Sequence, residues 1–138
     1  MSIQKKEEIK CPKCGTKTEI TIWSSLNVTV DQEAKKDLLE GKINRFQCPS
    51  CNLEGYLPAS LLYHDMENKI SVQYYPFESL QERGFFDNFS LDGKQNIDMG
   101  DVTESFLPDY MKDTHIVFSM EELVRYVMFR DKLVEFNK

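Results

Sequence analysis

The chain has no apolar run approaching the roughly 20 residues needed to cross a bilayer as a helix, so a membrane span is not expected. It also has no basic face. The formal charge is −6, and the one concentration of cations, lysines 5, 6, 10, 13 and 17, is interrupted by Glu7, Glu8 and Glu19. A phosphate backbone needs clustered positive charge, so nucleic-acid binding by the whole domain is disfavoured. The six glycines form no phosphate-cradling loop, and no serine or cysteine sits in the setting of an activated nucleophile. The segment from Met1 to Lys10 is too polar for a secretory signal, which makes a reducing cytoplasm the expected compartment. An EF-hand loop aligned on Gly93 places Met99 where a bidentate glutamate is required, so calcium binding in that register fails.

Cysteine is scarce but not scattered. All four residues fall in two steps, Cys11-Pro12-Lys13-Cys14 and Cys48-Pro49-Ser50-Cys51. A Cys-x-x-Cys turn can aim two sulfurs at one ion while backbone N–H groups inside the turn stabilise thiolate charge. The residue after the second cysteine commonly needs positive φ; it is Gly15 in one turn and Asn52 in the other, both tolerant of that geometry. The repeat thus extends beyond the cysteines. The reading is one Zn²⁺ held by Cys11, Cys14, Cys48 and Cys51, with rubredoxin-type iron or thiol redox chemistry as alternatives. Four protein sulfurs leave no open coordination position, so the ion would be structural. Four thiolates and one Zn²⁺ would take the formal charge from −6 to about −8. A dithiol redox site needs only one pair, and its second cysteine would enter a helix; here Cys14 leads into Gly15 and strand-like residues.

Thr18 to Val30 is rich in β-branched residues and predicts a strand, bent or folded back near Ser24-Ser25 and Asn27. Asp31 is placed to cap a short helix running to about Glu40, with Ala34, Leu38 and Leu39 on its buried side and Gly41 as the stop. Ile43 to Phe46 leads extended into the second cysteine pair. Gly55–Tyr63 and Lys69–Tyr75 predict two strands joined by Asp65-Met66-Glu67-Asn68. Residues 77–114 carry many phenylalanines without a clean period, and residues 87–113 hold seven acids against two lysines. They predict an irregular, partly packed connection with one or two short helical turns, and His115–Phe118 a short strand.

Ser119-Met120-Glu121-Glu122 fits a capping box opening a helix to about Phe136. That helix carries two apolar stripes. Met120, Leu123, Val124, Val127 and Val134 form one; Tyr126, Phe129, Leu133 and Phe136 form the other on roughly the opposite side. One stripe packs on the domain. The second is either covered within the chain or left for a protein partner or a second copy.

The paired Cys-Pro-x-Cys motifs, with Leu61-Leu62-Tyr63-His64-Asp65 after the second, resemble the CpXC domain proteins of bacteria and archaea over nearly the whole chain. The resemblance implies a metal-binding, ribbon-like domain and carries over no catalytic residue, because the family's activity is uncharacterised. The expected fold is α+β: an antiparallel zinc-ribbon-like core over 8–76 with an inserted short helix, an irregular acidic connection over 77–118, and a C-terminal helix over 119–137, all in one domain. The expected function is a non-enzymatic zinc-stabilised interaction module. The alternative is a thiol-redox protein or an enzyme using one cysteine pair or His64. Tyr63-His64-Asp65 is the nearest approach to a catalytic cluster, but neighbours on a strand point to opposite faces. The expectation there is that Tyr63 packs, His64 lies at the surface or a strand end, and Asp65 begins the turn.

Overall fold

The computed structural model describes residues 2–94, 110 and 113–137. Part of the acidic connection, 95–109 and 111–112, lies outside the described residues. The architecture is α+β, with a five-stranded sheet, a separate two-stranded sheet, an inserted short helix and a C-terminal helix.

The chain begins with a strand that composition did not suggest. Strand β1 (Ile3–Lys10) is exposed at nearly every position and pairs antiparallel with β2 (Lys17–Asn27) from Ile3 opposite Ser25 to Lys10 opposite Lys17. Its charged residues, Lys5, Lys6, Glu7, Glu8 and Lys10, suit an open sheet edge, where they discourage pairing with other chains. β2 runs through Ser24-Ser25 without folding back. Only Ser25, Leu26 and Asn27 pair onward, parallel, with β5 (Leu61–Asp65). Most of the β1–β2 hairpin therefore extends beyond the central sheet, carrying the first Cys-Pro-x-Cys turn at its tip.

After β2, the Asn27 side-chain oxygen accepts from Thr29 N–H at 3.2 Å and its carbonyl accepts from Asp31 N–H at 2.9 Å, turning the chain into α1 (Gln32–Leu39). Asp31 sits at the N-cap, but its side chain makes no capping bond. Ala34 and Leu38 are buried as expected, whereas Leu39 faces outward. Gly41, at φ 77°, ends the helix.

Two short strands, β3 (Arg45–Gln47) and β4 (Glu54–Tyr56), pair antiparallel around the second Cys-Pro-x-Cys turn. The expected single strand over 55–63 is broken here. Leu57 N–H is taken by the Asn44 carbonyl at 2.7 Å, and Pro58 has no N–H to offer, so the chain leaves one sheet before joining the other as β5. β5 and β6 (Ile70–Tyr74) form the antiparallel pair read from sequence, and β6 pairs parallel with β7 (His115–Val117). The order is β1-β2-β5-β6-β7. The sheet is rich in antiparallel pairing but not purely so, because β2 with β5 and β6 with β7 run in the same direction.

One face of the sheet carries the main core. Leu26, Leu61, Tyr63, Ile70 and Val72 are fully covered there, together with Met120, Leu123 and Val127 of α2 (Met120–Phe136). Ser119 Oγ accepts from Glu122 N–H at 3.0 Å, capping α2 as the sequence implies. Beyond β6, two 3-10 helices (Phe77–Gln81 and Arg83–Asn88) carry an aromatic cluster. Phe85 meets Tyr75 and Phe89 at 4.9 Å between ring centroids, which explains a phenylalanine-rich connection with no helical period.

Candidate metal centre

Each Cys-Pro-x-Cys turn is a knuckle with the same hydrogen bonds. In the first, Cys11 N–H donates to Thr16 O at 2.8 Å and Gly15 N–H to Cys11 O at 2.9 Å. In the second, Cys48 N–H donates to Leu53 O at 2.8 Å and Asn52 N–H to Cys48 O at 3.0 Å. Gly15 and Asn52 take φ of 79° and 62°, the left-handed geometry their identities anticipate. Hairpins hold both ends: β1–β2 carries the first knuckle and β3–β4 the second.

The two knuckles meet. The sulfurs of Cys11, Cys14, Cys48 and Cys51 all lie within 4.8 Å of one another. Two contacts cross between knuckles, Cys14 to Cys48 at 3.4 Å and Cys11 to Cys51 at 3.6 Å. These are far longer than the ~2.05 Å of a disulfide, and all four thiols are free. Cys11 and Cys48 are buried, Cys51 is half-buried and Cys14 is exposed. A small apolar cluster seats them: Phe46 is buried beside Cys11 and Cys48, with Ile9, Ile20, Leu53 and Leu57 packed around it.

The local field divides the thiols. Thr16 holds Cys14 down to about 6, its hydroxyl 3.1 Å from the sulfur and its N–H adding a second bond. Burial opposes ionisation of Cys11, but bonds from Cys14 and Lys13 N–H and from Cys51 outweigh it, leaving that thiol lower than usual. The Leu53 N–H favours the Cys51 thiolate, yet burial and the three neighbouring sulfurs push it up to about 12. The site can gather negative charge but not four full charges by itself. A cation is the natural complement of such a cluster.

The Tyr63-His64-Asp65 stretch builds no second site around its acid. Asp65 is a turn hub: its Oδ1 accepts from Thr29 Oγ1 at 3.2 Å, Glu67 N–H at 3.0 Å and Asn68 N–H at 3.1 Å, while Oδ2 accepts from Asn68 Nδ2 at 2.9 Å. Burial works against its carboxylate, but those bonds outweigh it and hold Asp65 below the usual range. His64 is buried, not at the surface, between Asn27 of β2 and Ser71 of β6 on the opposite face from Tyr63 and Asp65. Burial lowers its pKa. His115 pairs with Val72 and so shares the Tyr63 face; the two histidines are not brought together.

Sequence reasoning missed Asn44. This residue is buried at φ 53°, and its side chain grips the free edge of β2: Oδ1 accepts from Trp23 N–H at 2.8 Å and Nδ2 donates to Trp23 O at 2.9 Å. With its carbonyl accepting from Leu57 N–H, Asn44 ties the small sheet to the large one. An asparagine just before a strand, where left-handed backbone is tolerated, was the only available hint.

Together, fold and site define an α+β protein in which two matching knuckles bring four cysteines into one cluster suited to a metal ion. The family model of the CpXC protein matches residues 9–138, and the chain belongs to that family. No curated protein and no solved structure matched the chain.

Proposed function

We propose that this protein is a non-enzymatic interaction module whose small lobe is stapled by one Zn²⁺ bound to Cys11, Cys14, Cys48 and Cys51. The convergence of four free sulfurs within 4.8 Å carries the reading. Tetrahedral zinc with Zn–S bonds of about 2.3 Å sets its sulfurs about 3.8 Å apart, and the cross-knuckle contacts of 3.4 and 3.6 Å sit close to that spacing. Sulfur-only donor sets suit zinc or iron. Bound zinc would neutralise thiolate charge and cross-link the tips of two hairpins, a zinc-ribbon-like arrangement. The protein's part is to position the sulfurs, supply N–H donors and release the thiol protons on binding. A role outside catalysis is supported by the four-sulfur set, which leaves no open position, and by Asp65, whose two oxygens serve the turn.

A thiol-redox reading rests on Cys14, exposed and inclined to ionise. Against it, Cys14 is followed by Gly15 and β2 rather than a helix, and both knuckles share one site.

Metal analysis of protein purified under reducing conditions tests the proposal, with one zinc per chain as the expected result. Thiol counting with and without chelator separates the readings. Protection that disappears only when metal is stripped supports a structural site; a pair that alkylates readily in metal-loaded protein supports redox use. Metal-free protein with an intact fold would refute the zinc staple.

A further inference from the structure

Among the described residues, nothing covers one of the two apolar stripes of helix α2. Leu123 and Val127 are fully buried against the sheet, whereas Phe129 is 56%, Leu133 41% and Phe136 81% exposed. Tyr126 anchors the start of this outer stripe in a fixed position. Its ring stacks on His115 at 3.9 Å, and its hydroxyl accepts from Arg130 Nη1 at 2.9 Å. Tyr126, Phe129, Leu133 and Phe136 follow 3-4-3 spacing, the seam of a helix that packs against another helix.

The flanks of that seam share one sign. With 3.6 residues per turn the four residues span about 80° of the helix surface. Arg130 borders one side; Arg125 and Lys132 border the other. Among the described residues, the two flanking arginines have no carboxylate within ion-pair distance, whereas Lys132 has one. Asp131 turns toward α1 and bonds Lys35 at 3.0 Å, Glu135 pairs with Lys132 at 3.4 Å, and Glu121 falls outside the flanks. Glu122 is in line with the seam but a turn before it begins, where Ser119 caps the helix.

This charge pattern selects among occupants. Two copies seated seam to seam would bring Arg125 and Arg130 of each against those of the other, which is unfavourable because only Lys132 has an acid beside it. An extended anionic lipid surface would meet the whole domain, and its formal charge is −6. An opposing helix senses chiefly the charges within about one Debye length, roughly 8–10 Å. We propose that the outer stripe of α2 docks an amphipathic helix from another protein, one with an apolar seam bordered by aspartate or glutamate. The proposal gives the interaction-module reading its partner chemistry and rests on that reading, but not on the metal.

The test uses the full chain, with zinc content measured in every sample. Two synthetic helical peptides share leucine seams; one carries glutamate on its flanks and the other lysine. The acidic peptide is expected to bind, more weakly at higher salt, and the lysine peptide to bind at least tenfold more weakly. Arg125→Glu/Arg130→Glu should reverse that preference, and Phe129→Glu should abolish binding of both while thermal unfolding stays close to wild type. Equal binding of the two peptides, or binding of neither, would overturn the proposal. So would a concentration-dependent dimer dispersed by Phe129→Glu, or tighter binding to phosphatidylserine vesicles than to the acidic peptide. Peptide selectivity that survives in zinc-free protein would separate this inference from failure of the metal staple.

Discussion

Stripping the metal should unfold one lobe of the molecule and spare the other. The small lobe has little to hold it besides the sulfurs: among the described residues, Phe46 is the one large side chain buried with the cysteines, and β3 and β4 pair through three residues each. Burying one phenylalanine contributes about 1.5–3 kcal/mol. Ordering the backbone from Phe46 to Leu57, at about 1–2 kcal/mol per residue, costs about 12–24 kcal/mol. Two-stranded hairpins are marginal alone, whereas a structural zinc site contributes about 10–16 kcal/mol. Bound zinc would therefore be the decisive term there. The central sheet differs: Leu26, Tyr63, Ile70, Val72, Leu123 and Val127 are covered without any help from the cysteines. Hydrogen exchange read by mass spectrometry, with and without chelator under reducing conditions, follows both lobes at once. Amides of the knuckles, β3 and β4 should lose protection while β5, β6 and α2 keep theirs. Uniform loss across the chain would show that the lobes fold as one unit and refute the division. Unchanged protection at the knuckles would refute the staple itself.

Asn44→Ala should destabilise the protein by about 1–3 kcal/mol in denaturant titration, because two half-buried backbone groups of Trp23 lose their partners; a cost under 1 kcal/mol would mean that water replaces the amide. Asp65 is held below its usual pKa, so its contribution is present above the unfolded value near 3.9 and is lost as pH falls through the folded value. Asp65→Asn should therefore lower stability at pH 7 and flatten the acid limb of a stability–pH profile, and an unchanged acid limb would count against the turn hub. Leu123→Ala should cost about 2–5 kcal/mol, since the site is fully enclosed. Phe129→Glu should stay within about 0.5 kcal/mol of wild type, since its ring stands more than half in solvent. Similar losses in those last two variants would mean that the outer stripe is covered in solution.

The four cysteines, their turn geometry and the capped C-terminal helix were all legible in the sequence, because each is decided by neighbouring residues. A Cys-Pro-x-Cys turn needs only a left-handed residue next, and Gly15 and Asn52 supply it. Ser119 needs only the N–H three residues on. The β5–β6 hairpin likewise follows from local alternation and from Asp65 organising its own turn. What neighbours cannot decide fell to the tertiary structure. Ile3–Lys10 is a strand because β2 offers a free edge, not because its charged residues favour one. The parallel pairings of β2 with β5 and β6 with β7 depend on where the crossovers return the chain. His64 is buried because strands close on both sides of it. The outer stripe of α2 stays exposed because the sheet has room for only one face of the helix. Short-range covalent geometry wrote the motifs, while pairing and burial between segments far apart in sequence decided the sheet and the surface left open.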